Sequence, residues 1–364
     1  MKIMQVITAL NGGGAEKFVI DLSNELSKNN EVILCTLYDI NETMFLAKAL
    51  NKNVRIITLN KQLGLDWKIF TRLNKVINEE KPDVVNTHLR ALFYSSLPIL
   101  FRRVNFFHTV HNMADKETSY VFRNIYKLFF RYFNVVPIAI STKVLESIHK
   151  EYSSKFNVMI ENGVNKVDLS SQVDSVTSEI NSYKVTKKTK VLLTIGRISK
   201  QKNYTLLIKT VNKLVDEGFD VILLVVGADH GELTYLKTIA CNRVHFLGVK
   251  TNVIDYIYNA DAFCLSSLYE GMPIVLLEAL SMGCIPVCTP AGGVVDIITS
   301  DIGFLSNGFS ESLYYKELRS FLSASNTDIK NMQDNCKKLF ISKYNITKTA
   351  ENYYNTYKQK IYNG

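Results

Sequence analysis

The sequence predicts an α/β protein of two doubly wound domains, each a parallel sheet with helices on both faces. Three observations carry this. Short apolar runs of strand length alternate with amphipathic stretches of helix length along nearly the whole chain, as successive βα units do. The alternation stops once, over Asn165–Lys188, where Ser, Val, Thr and Lys dominate with no clear period, and then restarts; that segment reads as a linker. The chain has 364 residues, more than one hydrophobic core usually holds. The expected division is a first domain over 1–165, a linker over 166–188 and a second domain over 189–345, with an amphipathic helix over 346–364 packing back on the first half.

In the first half, strands are expected at Lys2–Thr8, Glu31–Tyr38, Val54–Leu59, Asp83–Thr87, Val104–Val110 and Val135–Ile140. Helices are expected at Ala15–Lys28, Asp66–Glu80, within Leu89–Leu100 and at Ser119–Phe133. In the second half the alternation runs through Val191–Ile195, Leu206–Asp216, Val221–Val226, Leu233–Cys241, Val244–Phe246, Val253–Tyr258 and Asp261–Leu265. Ile274–Met282 then reads as a mostly apolar helix. Pro273 fits its first turn, where a missing N–H costs nothing, and Gly283 ends it.

Composition sets limits on function. Hydrophobic residues make up 47% and charged residues 21%, which argues against long disorder. A net charge of +9 suits anionic ligands, nucleic acid or an acidic membrane surface without choosing among them. A nucleic-acid partner would need basic and aromatic side chains together on an exposed surface; the sequence does not establish this, and no nucleic acid is expected. The six cysteines form no CxxC and no histidine cluster accompanies them, so they read as reduced, buried thiols of a cytoplasmic protein and not as a zinc site or disulfide frame. No apolar run reaches membrane-spanning length, and Met1–Leu10 is too short for a signal peptide.

The candidate chemistry sits in loops that leave strands. Gly12-Gly13-Gly14 stands between the first strand and first helix. It can crowd backbone N–H groups around an anion, or simply make a tight turn. Lys17 occupies the place of the third glycine of a dinucleotide fingerprint, and no Walker A loop is present. His108 and His111, with Asn112, follow a strand at the end where open α/β sheets place ligands, and His88 stands equivalently. They can touch a polar substrate or be incidental to the strand end. Arg197 and Lys202 leave the first strand of the second half after Gly196; both can reach one phosphate group.

Ser266–Gly283 is the most informative stretch. Glu270 lies in a loop, Gly271 lets the backbone turn, and Gly271–Ile274 opens the helix with free N–H groups and a positive dipole end. Glu278 is embedded among Ile274, Val275, Leu277, Ala279, Leu280 and Met282. A carboxylate there needs a partner: a pair of ribose hydroxyls, or a neighbouring Arg or backbone amide. Over 120–133, Arg123, Lys127 and Arg131 share one helical face with aromatics around them. That face can rest on an anionic bilayer or cover the sheet as an ordinary amphipathic helix.

With these pieces in order, the chain resembles the retaining glycosyltransferases of family 4, which have the GT-B fold. The resemblance runs through Gly13-Gly14-Ala15-Glu16, Thr109-Val110-His111, Asn162-Gly163-Val164, Gly196-Arg197 with Lys202-Asn203, Phe246-Leu247-Gly248, Glu270-Gly271 to Glu278, and Gly283-Cys284-Ile285-Pro286-Val287. It implies two Rossmann-like domains facing a central cleft, and transfer of a hexosyl or N-acetylhexosaminyl group from a nucleotide-sugar, UDP-linked, to a cell-envelope glycan or lipid-linked oligosaccharide. Arg197 and Lys202 would then neutralise the diphosphate, with Gly13 and Gly14 closing over it. Glu278 would hold the ribose. Glu270, Gly271, Met272, Pro273 and Ile274 would hold the sugar, and His111 would touch it. No metal and no cofactor are implied, and the enzyme would work in the cytoplasm, at the inner face of the plasma membrane. A sugar-nucleotide epimerase or a non-catalytic nucleotide-sugar binder is the alternative.

Overall fold

In the computed structural model the described residues are 1–40, 45–101, 104–166 and 168–363. The linker expectation at Val167 and the helix expectation at Gly364 fall outside them. Two compact units form, 1–165 together with 344–364, and 166–343.

The first unit runs β1 (Lys2–Ile7), α1 (Gly14–Leu26), β2 (Glu31–Thr36), β3 (Val54–Thr58), α2 (Lys68–Glu80), β4 (Val84–His88), α3 (Ala91–Tyr94), α4 (Ser96–Phe101), β5 (Asn105–Val110), α5 (Ala114–Glu117), α6 (Tyr120–Tyr132), β6 (Val136–Ala139), α7 (Thr142–Tyr152) and β7 (Val158–Met159). Its strands form one parallel seven-stranded sheet in the order β3-β2-β1-β4-β5-β6-β7. The strands are apolar because helices cover both faces, as a parallel sheet requires. Ile3, Met4, Val6 and Ile7 of β1 are all buried. The order reverses between β1 and β4, so the loops after these two strands open at the sheet's switch point.

The second unit runs α8 (Val173–Tyr183), β8 (Lys190–Ile195), α9 (Tyr204–Asp216), β9 (Val221–Val226), α10 (Leu233–Ile239), β10 (Val244–Gly248), α11 (Val253–Tyr258), β11 (Ala262–Leu265), α12 (Ile274–Met282), β12 (Ile285–Cys288), β13 (Phe304–Leu305), α13 (Glu311–Ser323) and α14 (Asn326–Leu339). Its sheet is parallel, in the order β10-β9-β8-β11-β12-β13, and reverses between β8 and β11. The last helix, α15 (Ile346–Asn363), belongs to the first unit. There Tyr353 and Tyr357 are buried, and Tyr357 lies against Phe107 of β5.

Five helices differ from the sequence expectation, α5, α7, α8, α13 and α14, and two of them show why. Segment 166–188 is not a bare linker: it carries α8 and belongs to the second unit. Only Val176 and Ile180 of α8 are buried, too narrow an apolar stripe to show as a helical period. The helix is held instead by side-chain hydrogen bonds. Thr177 Oγ1 donates to Asn259 Oδ1 (3.0 Å), Tyr256 OH to Glu179 Oε2 (2.6 Å), and Lys250 pairs with Glu179 at 3.2 Å. The second helix, α7, goes unassigned in the sequence reading. Ser141 caps it by accepting from the Val144 N–H at 3.2 Å. Pro273 stands at the N-cap of α12, one place before the first turn. All six cysteines are free, five of them buried, and burial pushes the Cys35 thiol up to about 12.

The buried Asp255 ties the segment before α8 to α11. It accepts from the Ser170 N–H at 2.9 Å and from Asn252 Nδ2 at 3.0 Å. Burial works to raise its pKa, but the hydrogen bonds from Ser170 and Asn252 outweigh it and hold the carboxyl below its ordinary value. Its contribution is therefore full at neutral pH and is lost as the pH falls below the unfolded value of about 3.9. Asp255→Ala should cost about 1–3 kcal/mol, with faster amide exchange across 170–183 and unchanged exchange in the first unit. Unchanged exchange at 170–183 would show that this anchor does not hold α8.

Candidate functional site

The second unit's site is built at the switch point of its sheet, from the loops after β8 and β11. Gly196 ends β8 with φ 155°, and its carbonyl accepts from Tyr204 OH at 3.2 Å. Gly227, after β9, approaches so closely that an added Cβ would run into the Gly196 carbonyl oxygen. The loops are then laced together. Leu268 N–H donates to the Gln201 carbonyl (2.9 Å), Gln201 Nε2 to the Tyr269 carbonyl (2.9 Å), and Ser266 Oγ to the Lys202 carbonyl (2.8 Å).

Within this lacing Lys202 Nζ meets Glu270 Oε1 at 2.6 Å, with side chains 13% and 9% exposed. The sequence reading gives Lys202 to the donor's diphosphate and Glu270 to its sugar. The structure adds that the two side chains form one shielded ion pair, with consequences for stability. Arg197, by contrast, is exposed and has no ion pair among the described residues. Gly271, Met272 and Pro273 are buried where α12 begins, Ile274 is its first residue, and Glu278 is 4% exposed on it. Glu278 stands about one turn into α12, so the two glutamates occupy one loop–helix element.

A third loop, which the sequence reading does not single out, supports the second. After β12, Thr289 Oγ1 donates to the Ser267 carbonyl (2.6 Å) and the Gly293 N–H to the Gly271 carbonyl (3.0 Å). Gly292 has φ 55°, and an added Cβ would run into the Glu270 carbonyl oxygen. The detectable signal was Ala291-Gly292-Gly293 directly after a strand, a pattern already used for Gly12–Gly14.

In the first unit Gly13 is the extended N-cap of α1 and Gly14 its first residue; the left-handed turn falls on Gly12, φ 101°. The histidines separate. His108 is fully buried beside Thr87 Oγ1 (2.9 Å) and Glu117 (3.8 Å), so it cannot touch substrate as the strand-end placement suggests. His111 is half-buried at the end of β5, its N–H held by Glu117 Oε1 at 2.9 Å and its ring meeting Phe18 of α1 edge-on at 5.7 Å. His88 Nδ1 lies 2.9 Å from His111 Nε2. Burial first, then the neighbouring histidines, push both imidazoles down, His111 to about 3, so both are neutral at physiological pH.

This arrangement can hold an anion and a polyhydroxylated ligand. No three His, Cys, Asp or Glu side chains are grouped to hold a metal among the described residues.

Comparison with known proteins places the chain. Residues 12–167 match the model of Glycosyltransferase Family 4, and residues 175–339 that of Glycosyl transferases group 1. The chain is 26% identical over 359 residues, 94% of itself and 95% of the relative, to a Campylobacter jejuni α-1,4-N-acetylgalactosaminyltransferase acting on a diNAcBac-PP-undecaprenol-linked glycan. It is 24% identical, over 90% of each chain, to an Escherichia coli UDP-Gal:α-D-GlcNAc-diphosphoundecaprenol α-1,3-galactosyltransferase. In fold it matches a Rickettsia africae glycosyltransferase (TM-score 0.83, 19% identity, 99% and 98% of the two chains) and Anabaena HepE, solved with UDP and glucose (TM-score 0.82, 18% identity, 99% and 100%). The protein is thus a glycosyltransferase with the GT-B fold. It belongs to the family-4 glycosyltransferases.

The ion pair makes a direct test. Lys202→Met leaves Glu270 shielded without a partner and should destabilise the second unit by about 3–5 kcal/mol. Arg197→Ala at its exposed position should change stability by less than about 0.5 kcal/mol. Lys202→Met/Glu270→Gln should regain most of the loss in urea unfolding. Equal stability of Lys202→Met and the unaltered protein would mean that the pair does not hold the loops.

Proposed function

We propose that this glycosyltransferase moves a hexosyl or N-acetylhexosaminyl group, with retention, from a UDP-sugar to a hydroxyl of a lipid-linked oligosaccharide. The observation that carries it is the laced switch-point site, where Lys202, Glu270 and the loop that opens α12 are tied into one cluster, with Arg197 exposed on the same loop after β8. The relatives' lipid-linked acceptors support the acceptor class, and the UDP named for the Escherichia coli relative supports the donor.

In this reading Arg197 and Lys202 take the charge that grows on the departing diphosphate, and the first amides of α12 add their dipole. Gly13 and Gly14 at the start of α1 supply backbone N–H groups to the same phosphates. Glu278 holds the ribose, unchanged by the reaction. Glu270 and the backbone of Gly271, Met272, Pro273 and Ile274 hold sugar hydroxyls, and His111 touches the sugar. Lys202 is already neutralised by Glu270, so an arriving diphosphate shares a lysine that is pre-placed and need not be desolvated afresh. The attacking hydroxyl approaches on the leaving-group face, and catalysis is electrostatics and positioning, with no metal required.

The acceptor's lipid calls for a membrane surface. Among the described residues no helix is long and apolar enough to cross a membrane, so contact would be peripheral. On α6 the exposed apolar residues are Tyr120, Val121, Leu128 and Tyr132. Arg123 is not free for lipid, because it pairs with Glu151 at 3.1 Å; Lys127 and Arg131 have no ion pair among the described residues. The loop before α2 adds Leu63, 92% exposed, and Trp67, 69% exposed. Trp67 stacks on Phe70, which meets Phe93, which meets Phe122 of α6, so one aromatic string joins both patches.

Incubation with a panel of UDP-sugars and a polyprenyl-diphosphate-linked sugar should release free UDP and form an α-linked product, with turnover retained in EDTA. Conversion of the nucleotide sugar without UDP release would establish an epimerase instead, and loss of transfer on chelation, restored by Mg²⁺, would reject the metal-free mechanism.

Lys127→Glu/Arg131→Glu and Leu63→Ser/Trp67→Ser should each pellet less with anionic vesicles than the unaltered protein, the first pair losing its difference at high salt. Pelleting equal to the unaltered protein in both variants removes this face from the account.

A further inference from the structure

We propose that Arg90 binds the diphosphate of the acceptor, and that the aromatic side chains running from Phe122 to Trp67 take the first isoprene units of its lipid. The inference deepens the reading above, in which the acceptor is a sugar carried on a lipid, and rests on it. Every residue it uses belongs to the first unit.

Arg90 stands in the turn after β4, one of the two strands at which the order of the sheet reverses. Open α/β sheets place ligands at that point. The turn is strained. Leu89 has φ 55°, a left-handed conformation that leucine keeps only where its surroundings hold it. The buried Tyr126 of α6 does so, its OH donating to the Leu89 carbonyl at 3.4 Å. Arg90 follows, exposed, with its guanidinium 5.7 Å from the centre of the Phe122 ring. Among the described residues no carboxylate pairs with Arg90 and no acceptor bonds its side chain. A guanidinium held on one side by a ring keeps its N–H fork for a ligand, and that fork suits phosphate oxygens. A solvated arginine needs no such turn.

Phe122 also opens an apolar track. Its ring meets Phe93 at 4.7 Å, Phe93 meets Phe70 at 5.2 Å, and Phe70 stacks on Trp67 at 5.7 Å. The track ends in a loop that is inside out. Trp67 and Leu63 are exposed there, while Lys61 is buried. Lys61 Nζ donates to the Gln62 carbonyl at 2.8 Å, to Tyr38 OH at 3.1 Å and to the Gly64 carbonyl, and lies 5.4 Å from the centre of the Tyr94 ring. Tyr94 in turn packs on Phe70 at 5.2 Å. A loop that meets only water turns its lysine outward and its tryptophan inward. Here Lys61 fixes the backbone of the loop, and the apolar side chains face out. A cation at one end, with an apolar track leading from it, matches a molecule with a diphosphate head and an isoprenoid tail. The arginine alone fits any anion, and the rings alone fit any apolar surface; together they select the amphiphile.

Trp67 is the sole tryptophan of the chain and reports on the track directly. Farnesyl diphosphate, added to the full chain below its micellar concentration, should shift Trp67 emission to the blue and saturate. Arg90→Ala should weaken that binding about tenfold, as loss of a hydrogen bond to a charged group does. Arg90→Lys, which keeps the charge without the fork, should weaken it less. Farnesol and inorganic diphosphate should each bind about tenfold more weakly than farnesyl diphosphate, since each fills half of the site. In transfer assays Arg90→Ala should raise KM for the lipid-linked acceptor and leave KM for the nucleotide sugar unchanged. Equal affinity of Arg90→Ala and the unaltered protein for farnesyl diphosphate overturns the proposal. So does binding seen by calorimetry without a change in Trp67 emission. A response of Trp67 to anionic vesicles with none to farnesyl diphosphate also overturns it, and leaves the loop as a membrane contact only. Binding of a UDP-sugar without binding of farnesyl diphosphate sinks this inference and keeps the functional reading; the reverse result keeps the site and sinks the reading.

Discussion

The contact between Lys202 and Glu270 is the constraint on which the second unit's site depends. Two charges removed from most of the solvent are tolerable only when their geometry is good and their surroundings are fixed. The surroundings meet that demand through backbone. The Lys202 carbonyl is held by Ser266, the Gln201 carbonyl by Leu268, the Tyr269 carbonyl by Gln201, and the Gly271 carbonyl by Gly293. The glycines at 227 and 292 are there because the backbone approaches too closely for a Cβ, and Gly196 because its φ is 155°. The ion pair and the backbone lacing thus support each other: the lacing holds the two charges together, and the charges tie the same two loops.

The first unit solves a different problem with different physics. Gln5, Asn86, His88, Thr109 and Tyr353 are neutral and buried, and they bond to one another in a chain that ends at His111, with Gln5 Nε2 left without a hydrogen-bond partner among the described residues. Buried neutral networks of this kind fix directions more than they add binding energy. The last helix takes part through Tyr353, which explains why α15 belongs to the first unit although the chain reaches it after the second.

Much of this was legible in the sequence because the signals were periodic or had no cheap alternative. Ile274–Met282 agrees to the residue, since an apolar run between a proline and a glycine has little freedom to be anything else. Glu278 stood out because a carboxylate among Leu and Ile must be accounted for. What could not be read was pairing across sequence distance. Nothing local joins Lys202 to Glu270, 68 residues apart, or assigns His88 to His111 and His108 to Thr87. Strand alternation separates His108 from its neighbours, but only the register of β4 against β5 shows which side faces the ligand. Helix α8 was hidden for a related reason: its stability comes from Thr177 and Glu179 bonding to another helix, not from a stripe of its own. Helix α7 was missed although Val144, Ile148 and Tyr152 recur every fourth residue behind a serine cap, a signal that was present and unused.

On the proposed reading, the two units answer to what different parts of a donor and acceptor ask of a protein. A diphosphate leaving group needs cations fixed before it arrives, and fixed cations need a counter-charge while the site is empty. On the proposed reading Glu270, paired with Lys202 at 2.6 Å, would supply that. A sugar ring that becomes cationic needs acceptors without positive charge, and burial of His88 and His111 keeps the imidazoles neutral far below physiological pH. An acceptor on a lipid needs a surface that combines apolar side chains with unpaired cations. Leu63, Trp67 and the outer face of α6 offer both, on the same unit as the neutral network. The net charge of +9 already counts the Lys202–Glu270 pair as zero; cations such as Lys127 and Arg131, without an ion pair among the described residues, contribute to the excess, on the face that the proposed reading turns to lipid.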